Sequence, residues 1–168
     1  MSDEMMTVWS VRIALLLYVA ALFSWLLGEE SWKRVTRGLW SAGLLFYLVH
    51  VAAAFHFAHG WSHDRALLET ARQTEELVGV ASGLGLWLNY LFTVVWTADV
   101  VWWFRDEESY RLRPRWMTVS VHGFLAFLFF NGAVVFAQGF PRWLGLAATP
   151  PLVALYLRSR EARPPARC

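Results

Sequence analysis

Cysteine is nearly missing: Cys168 is the only one among 168 residues. That excludes an internal disulfide and any cysteine-held cluster site. Charge is scarce as well, with Asp, Glu, Lys and Arg at 17%, where a soluble domain carries about 25%. Several catalytic signatures are absent too. The histidine-rich stretch is not HExxH, because Gly60 follows His59 and leaves no built-in general base. Gly79, Gly83 and Gly85 form no dinucleotide fingerprint, since no strand precedes them and no soluble domain follows. Ser62 cannot face its neighbour His63 on a helix, and no acid is placed to orient that imidazole, so a catalytic triad is excluded. The basic residues are short flanks of apolar runs, as membrane topology alone demands, and nothing points to nucleic acid.

What the chain has instead is apolar sequence in long blocks, 57% of all residues with 17% aromatic. A helix needs about 20 mostly apolar residues to cross the hydrocarbon. The blocks predict spans over 7–27, 38–59, 78–104, 117–138 and 141–157. The last is the weakest, since Pro150-Pro151 removes two backbone donors and should kink or break it; a re-entrant or interfacial helix is the alternative. The fold expected is therefore all-α: an integral membrane bundle of four to five transmembrane helices, residues 1–157 forming one domain. Between the second and third spans, DRALLETARQTEELV sets Leu67, Leu68, Ala71 and Val78 on one side and charge on the other, an outer amphipathic helix. Gly60 would end the helix before it, with Ser62 or Asp64 starting the new one.

Basic residues cluster at Lys33, Arg34 and Arg37, at Arg105, Arg111, Arg113 and Arg115, and at Arg158, Arg160, Arg163 and Arg167. The positive-inside rule then places the N-terminus outside and the C-terminus inside a bacterial inner membrane. The tail, 158–168 (RSREARPPARC), is expected to be disordered and cytoplasmic. The N-terminal segment, with Asp3 and Glu4, does not read as a cleavable signal peptide.

Polar residues inside such spans are costly and are expected to have partners. Arg12, about two turns inside the first span, either snorkels to headgroups or faces the bundle to hold an anionic group. Asn89, Thr93 and Trp96 recur at helical spacing, which suits interhelical hydrogen bonding and packing. Asp99 and His122 fall at similar depth on successive spans, so an Asp99–His122 hydrogen bond is expected. Asn131 lies in the outer half of its span, near the level of the histidines.

The sequence is organised around HVAAAFHFAHGWSH, His50 to His63, which holds four of the five histidines. On a continuous helix His56, His59 and His63 share an arc of roughly 60°. Imidazoles so placed can share copper, zinc or iron, with Asp64, Glu69 or Asn131 supplying further ligands. If the turn at Gly60 breaks the helix, only the His56, His59 pair keeps its alignment. The competing reading leaves all three hydrogen-bonding headgroups, water and carbonyls. A b-type haem would take His50 and His122 from different helices, but their depths differ by roughly 9 Å, which disfavours that pair.

Closely spaced histidines beside apolar spans resemble the membrane hydroxylases and desaturases, yet that family's several histidine boxes face the cytosol and no residue carries over. FHFAHGWSH, followed by TARQT and NY-x2-T-x2-W-x2-D, resembles a set of small bacterial polytopic membrane proteins. That resemblance implies no particular activity. The leading expectation is a transition-metal site at the outer membrane face, in the lipid bilayer, alone, as a homo-oligomer or as a subunit of a redox or metal-handling complex. A non-catalytic assembly subunit is the next reading. A proton or ion path through Asp99, His122 and His50 is the third.

Overall fold

A computed structural model describes residues 3–27, 32–136 and 139–161. Among these there is no strand, and the chain is an all-α bundle. Seven helices follow in order: α1 (Asp3–Leu27), α2 (Trp32–Ala53), α3 (His63–Val78), α4 (Leu84–Arg105), α5 (Glu107–Leu112), α6 (Arg115–Phe130) and α7 (Phe140–Glu161). Two π-helical turns, Ala54–Ala58 and Asn131–Phe136, extend α2 and α6. Four of the helical stretches are long and apolar enough to cross a membrane: Met5–Leu27, Arg34–Ala58, Leu84–Arg105 and Arg115–Val134. That arrangement is compatible with a multi-pass membrane protein.

The predicted boundaries shift for local reasons. The third span begins at Leu84 rather than near 78, because Gly79 adopts a left-handed φ of 77° and caps α3. Ser62 starts α3, accepting from the Arg65 N–H at 3.3 Å. α7 does not break at Pro150-Pro151 but continues as one helix, and the Thr149 hydroxyl donates to the Gly145 carbonyl at 2.6 Å just before the pair. α7 is not among the four stretches apolar enough to span. Residues 158–161 of the expected disordered tail belong to α7, and the remainder of that tail lies outside the described residues.

α1 and α2 make the most extensive contact in the bundle, as their short connection requires. α4 lies against α2 and α6, while α7 returns along α1 and the second π-turn. The core is a layer of large side chains: Tyr18 and Ala21 of α1, Trp40 and Leu44 of α2, Phe92 and Trp96 of α4, and Leu125 of α6. Tyr18 stacks on Phe129 with centroids 4.2 Å apart, and the Trp40 and Trp96 rings lie 5.1 Å apart. Trp96 comes this close to α2 because Gly43 has no side chain; a Cβ there would stand 3.2 Å from the indole. The aromatic layer divides the interior into a histidine end, with the start of α1 and the π-turns, and an arginine end, with α5.

Candidate functional site

At the histidine end the continuous helix assumed for the triplet does not exist. The chain turns sharply after His59, with Gly60 at φ 56° and Trp61 at φ 59°. Trp61 is an uncommon non-glycine residue in that region. It is held by its backbone N–H, which donates to the Phe55 carbonyl at 2.8 Å, and by its indole, which donates to His56 Nδ1 at 3.0 Å. His63 is thereby moved to the first turn of α3, where its Nδ1 lies 3.0 Å from the Tyr90 hydroxyl. His59 stacks edge-on against Phe55. The three imidazoles thus have three different surroundings. Among the described residues no group of three or more His, Cys, Asp or Glu side chains is arranged to hold a metal ion.

The additional ligands do not complete a site, although Glu69 lies near enough to His59 to interact with it electrostatically. Asp64 is exposed in the first turn of α3. Glu69 is engaged by Arg72 at 2.6 Å and Gln73 at 2.9 Å. Those hydrogen bonds, Arg72 first, bring its carboxyl down to about 2. The Asn131 amide donates to its own helix, at the Phe127 carbonyl, at 2.8 Å. Arg12 takes neither expected role in full: its guanidinium lies over the Trp9 ring at 5.2 Å and the Phe140 ring at 5.7 Å, between α1 and α7. Thr93 bonds across helices through its side chain, whereas Asn89 takes part through its backbone carbonyl. The Tyr47 hydroxyl lies 3.3 Å from the Thr93 hydroxyl and 3.5 Å from the Asn89 carbonyl.

What gathers at this end is a cavity of about 430 Å³, lined by α1, α2, α3, α4, α6, α7 and both π-turns. Its volume lies in the usual range of small-molecule sites. His50 and His59 are the two histidines that line it. His50 Nδ1 lies 2.9 Å from the Thr7 carbonyl. A carbonyl only accepts, so the proton sits on Nδ1 and Nε2 keeps its lone pair. Tyr18 and Trp96 also line the cavity, and their buried O–H and N–H have no hydrogen-bond partner in the structure. Thr70 and Gln73 of α3 line it as well, so the amphipathic helix forms part of the cavity wall. Its inward face is Ala66, Leu67, Thr70 and Thr74, not the predicted Leu68, which is 71% exposed.

At the arginine end the expected Asp99–His122 bond is not made. Pro114 ends the short α5 and turns Arg113 back into the bundle, where the guanidinium stands between them. Arg113 donates to Asp99 Oδ1 at 2.6 Å and to Thr118 at 3.0 Å, and its Nη2 lies 3.0 Å from His122 Nε2. The guanidinium can only donate, so His122 is a neutral ring protonated on Nδ1. Asp99 also accepts from the Trp40 indole at 2.9 Å and the Tyr110 hydroxyl at 3.0 Å. Burial first, then the Asp99 charge, pushes the Tyr110 phenol up, so it stays an intact donor at neutral pH. A second cavity of about 340 Å³ adjoins this network, lined by His122 and Arg113. His50 and His122 therefore line different cavities, with no lining residue in common.

Comparison with protein-family models, with curated proteins and with solved structures finds no match for this chain.

Proposed function

We propose that this is a multi-pass bacterial inner-membrane protein that binds an apolar, membrane-soluble molecule bearing a hydrogen-bond-accepting oxygen, in the cavity at the histidine end. The observation that carries this reading is that two residues lining the cavity, Tyr18 and Trp96, each hold a buried donor, O–H and N–H, with no hydrogen-bond partner. Each unsatisfied buried donor costs about 1–3 kcal/mol, a cost that a ligand oxygen accepting from either would remove. The remaining lining is largely aliphatic and aromatic, with His50 Nε2 offering an acceptor to a hydroxyl on the same ligand. Both π-turns border the cavity, through Ala54 and Phe55 and through Gly132 and Ala133. Such turns are kept inside helices mostly at functional sites.

The test is titration of the purified full chain in nanodiscs with a short-chain benzoquinone, followed by tryptophan quenching. Saturable binding that weakens about tenfold in Tyr18→Phe, the loss of one hydrogen bond of about 1.4 kcal/mol, supports the reading. No saturation, or equal binding by the variant, overturns it.

A second reading, a transition-metal centre of a redox or metal-handling assembly, is favoured by one observation: the Thr7 carbonyl fixes His50 in the tautomer a metal ligand needs, as carbonyl partners do for metal-bound imidazoles. Its ligands would be His50 and His59, completed by an exogenous donor. Elemental analysis and the visible spectrum test it. Bound copper, zinc or iron lost in His50→Ala and His59→Ala but retained when His56 and His63 are changed would support it; metal-free protein after reconstitution would eliminate it.

A further inference from the structure

The arginine-end cavity is independent of the site above and has its own unspent chemistry. Three of its lining residues carry charge, Glu107, Arg111 and Arg113. Arg113 is neutralised by Asp99 and Glu107 by Arg37 at 2.8 Å. Arg111 has no carboxylate partner among the described residues, so the described lining carries one net positive charge. The neutral donors point the same way. His122 is clamped between Trp25 and Trp40, with centroids 5.2 and 5.3 Å away, and Arg113 fixes its proton on Nδ1. That Nδ1 is buried and has no partner. Ser24 and Thr36, whose hydroxyls lie 2.6 Å apart, form another wall. Two residues of the lining are thus left with unspent donors, His122 with its partnerless Nδ1–H and Arg111 with no carboxylate partner among the described residues, while the one carboxylate there, Glu107, is engaged by Arg37. Buried donors beside a net positive charge select an anionic oxygen.

We propose that this cavity is a binding site for a phosphate-class group, held by Arg111 and the His122 Nδ1–H. Two sources share that chemistry: the headgroup phosphate of an anionic lipid, and a soluble phosphate. The cavity lies where the apolar stretches of α1, α2, α4 and α6 meet their basic flanks, the level at which headgroups sit if the bundle spans.

The experiment uses the full chain, delipidated in a neutral detergent, and Arg111→Gln, an exposed position whose change leaves the buried Asp99–Arg113 pair intact. Retention of phosphatidylglycerol against phosphatidylcholine is read by native mass spectrometry, and inorganic phosphate is titrated in parallel while the histidine ¹⁵N resonances are followed. Preferential retention of phosphatidylglycerol, falling about tenfold in Arg111→Gln, supports a lipid site. Saturable phosphate binding that shifts the His122 Nδ1 signal, assigned with His122→Gln, supports a soluble one. If both lipids are retained equally and phosphate moves no histidine resonance, or if Arg111→Gln binds like the parent, the proposal falls.

Discussion

Tyr18 and Asp99 show how differently two buried polar residues can stand in one bundle. Tyr18 is 1% exposed and its hydroxyl is unpartnered, so Tyr18→Phe removes a cost while keeping the stack on Phe129. The empty protein should gain up to about 1 kcal/mol in a denaturant titration even as the ligand affinity proposed above falls. A purely structural role for the hydroxyl predicts the opposite sign. Asp99 is the reverse case. Its carboxylate neutralises Arg113 and accepts from Trp40 and Tyr110, with both charged side chains almost fully buried. Asp99→Asn leaves an uncompensated guanidinium in the interior and should cost about 3–5 kcal/mol. Asp99→Leu combined with Arg113→Met should cost clearly less than the sum of the singles, because the second change removes the stranded charge. A double variant as unstable as the sum would mean the two residues act separately. These assignments were only partly legible in the sequence. Asp99 and His122 were visible as costly residues at one depth, but the partner that links them comes from Arg113, which a depth count along the spans leaves outside the bundle.

At the scale of elements, α3 tests how a polar, amphipathic helix is held beside a cavity. Its own staple is Arg72, which bridges Glu69 and Glu76 on the exposed face. Glu69 has its carboxyl pKa lowered from 4.5 to about 2. A depressed carboxyl contributes stability that is fully present above its unfolded value and is lost as pH falls through the folded one. The staple should therefore hold down to mildly acid pH and loosen between about 4.5 and 2, with the ¹³C carboxyl shift of Glu69 giving a midpoint near the lower figure. Solvent screens so exposed a group, so the effect belongs to the local order of α3 and not to the whole bundle. Docking is governed by glycine: a Cβ at Gly83 would meet Leu67 Cδ1 at 2.5 Å and Cγ at 3.0 Å. Gly83→Ala should loosen α3 from α4 and speed its proteolysis, and adding Leu67→Ala should restore protection. An α3 that is equally protected in all three proteins would show that it is held elsewhere. The existence of α3 and a start at Ser62 or Asp64 were legible from composition and spacing. Its inward face was legible only in part, Leu67 correctly and Leu68 and Val78 not, because a smooth amphipathic period does not say which edge of the apolar arc meets the neighbour. The same limit hid the fate of the histidine triplet, which turned on two consecutive left-handed residues, one of them a tryptophan that no propensity would place there.

For the whole molecule, in the multi-pass reading proposed above, the number of crossings decides on which side each cavity opens. Four helical stretches qualify by length and composition. α7, at 22 residues, is about 33 Å long by helix rise, enough to cross, yet it carries Arg142 near its start and Pro150-Pro151 in its interior. Two of its backbone donors are therefore missing, and in lipid the freed carbonyls need neighbours. α7 is packed along α1 and the second π-turn, and Gly145 approaches so closely that an added Cβ would stand 2.6 Å from Val134. A helix packed this way can cross by leaning on the bundle despite its modest hydropathy. Four crossings would put both ends of the chain on one side, whereas five put them on opposite sides. With the basic flanks inside, five crossings give an external N-terminus, an external histidine-end cavity and an internal phosphate-class site. The lone Cys168 is a natural reporter. In intact cells it should resist a membrane-impermeant maleimide and react only after permeabilisation, while a cysteine introduced by Ser62→Cys in a Cys168→Ser background should react at once. Labelling of both positions in intact cells would show that α7 turns back without crossing. Labelling of Cys168 alone would invert the orientation and exchange the faces to which the two cavities open.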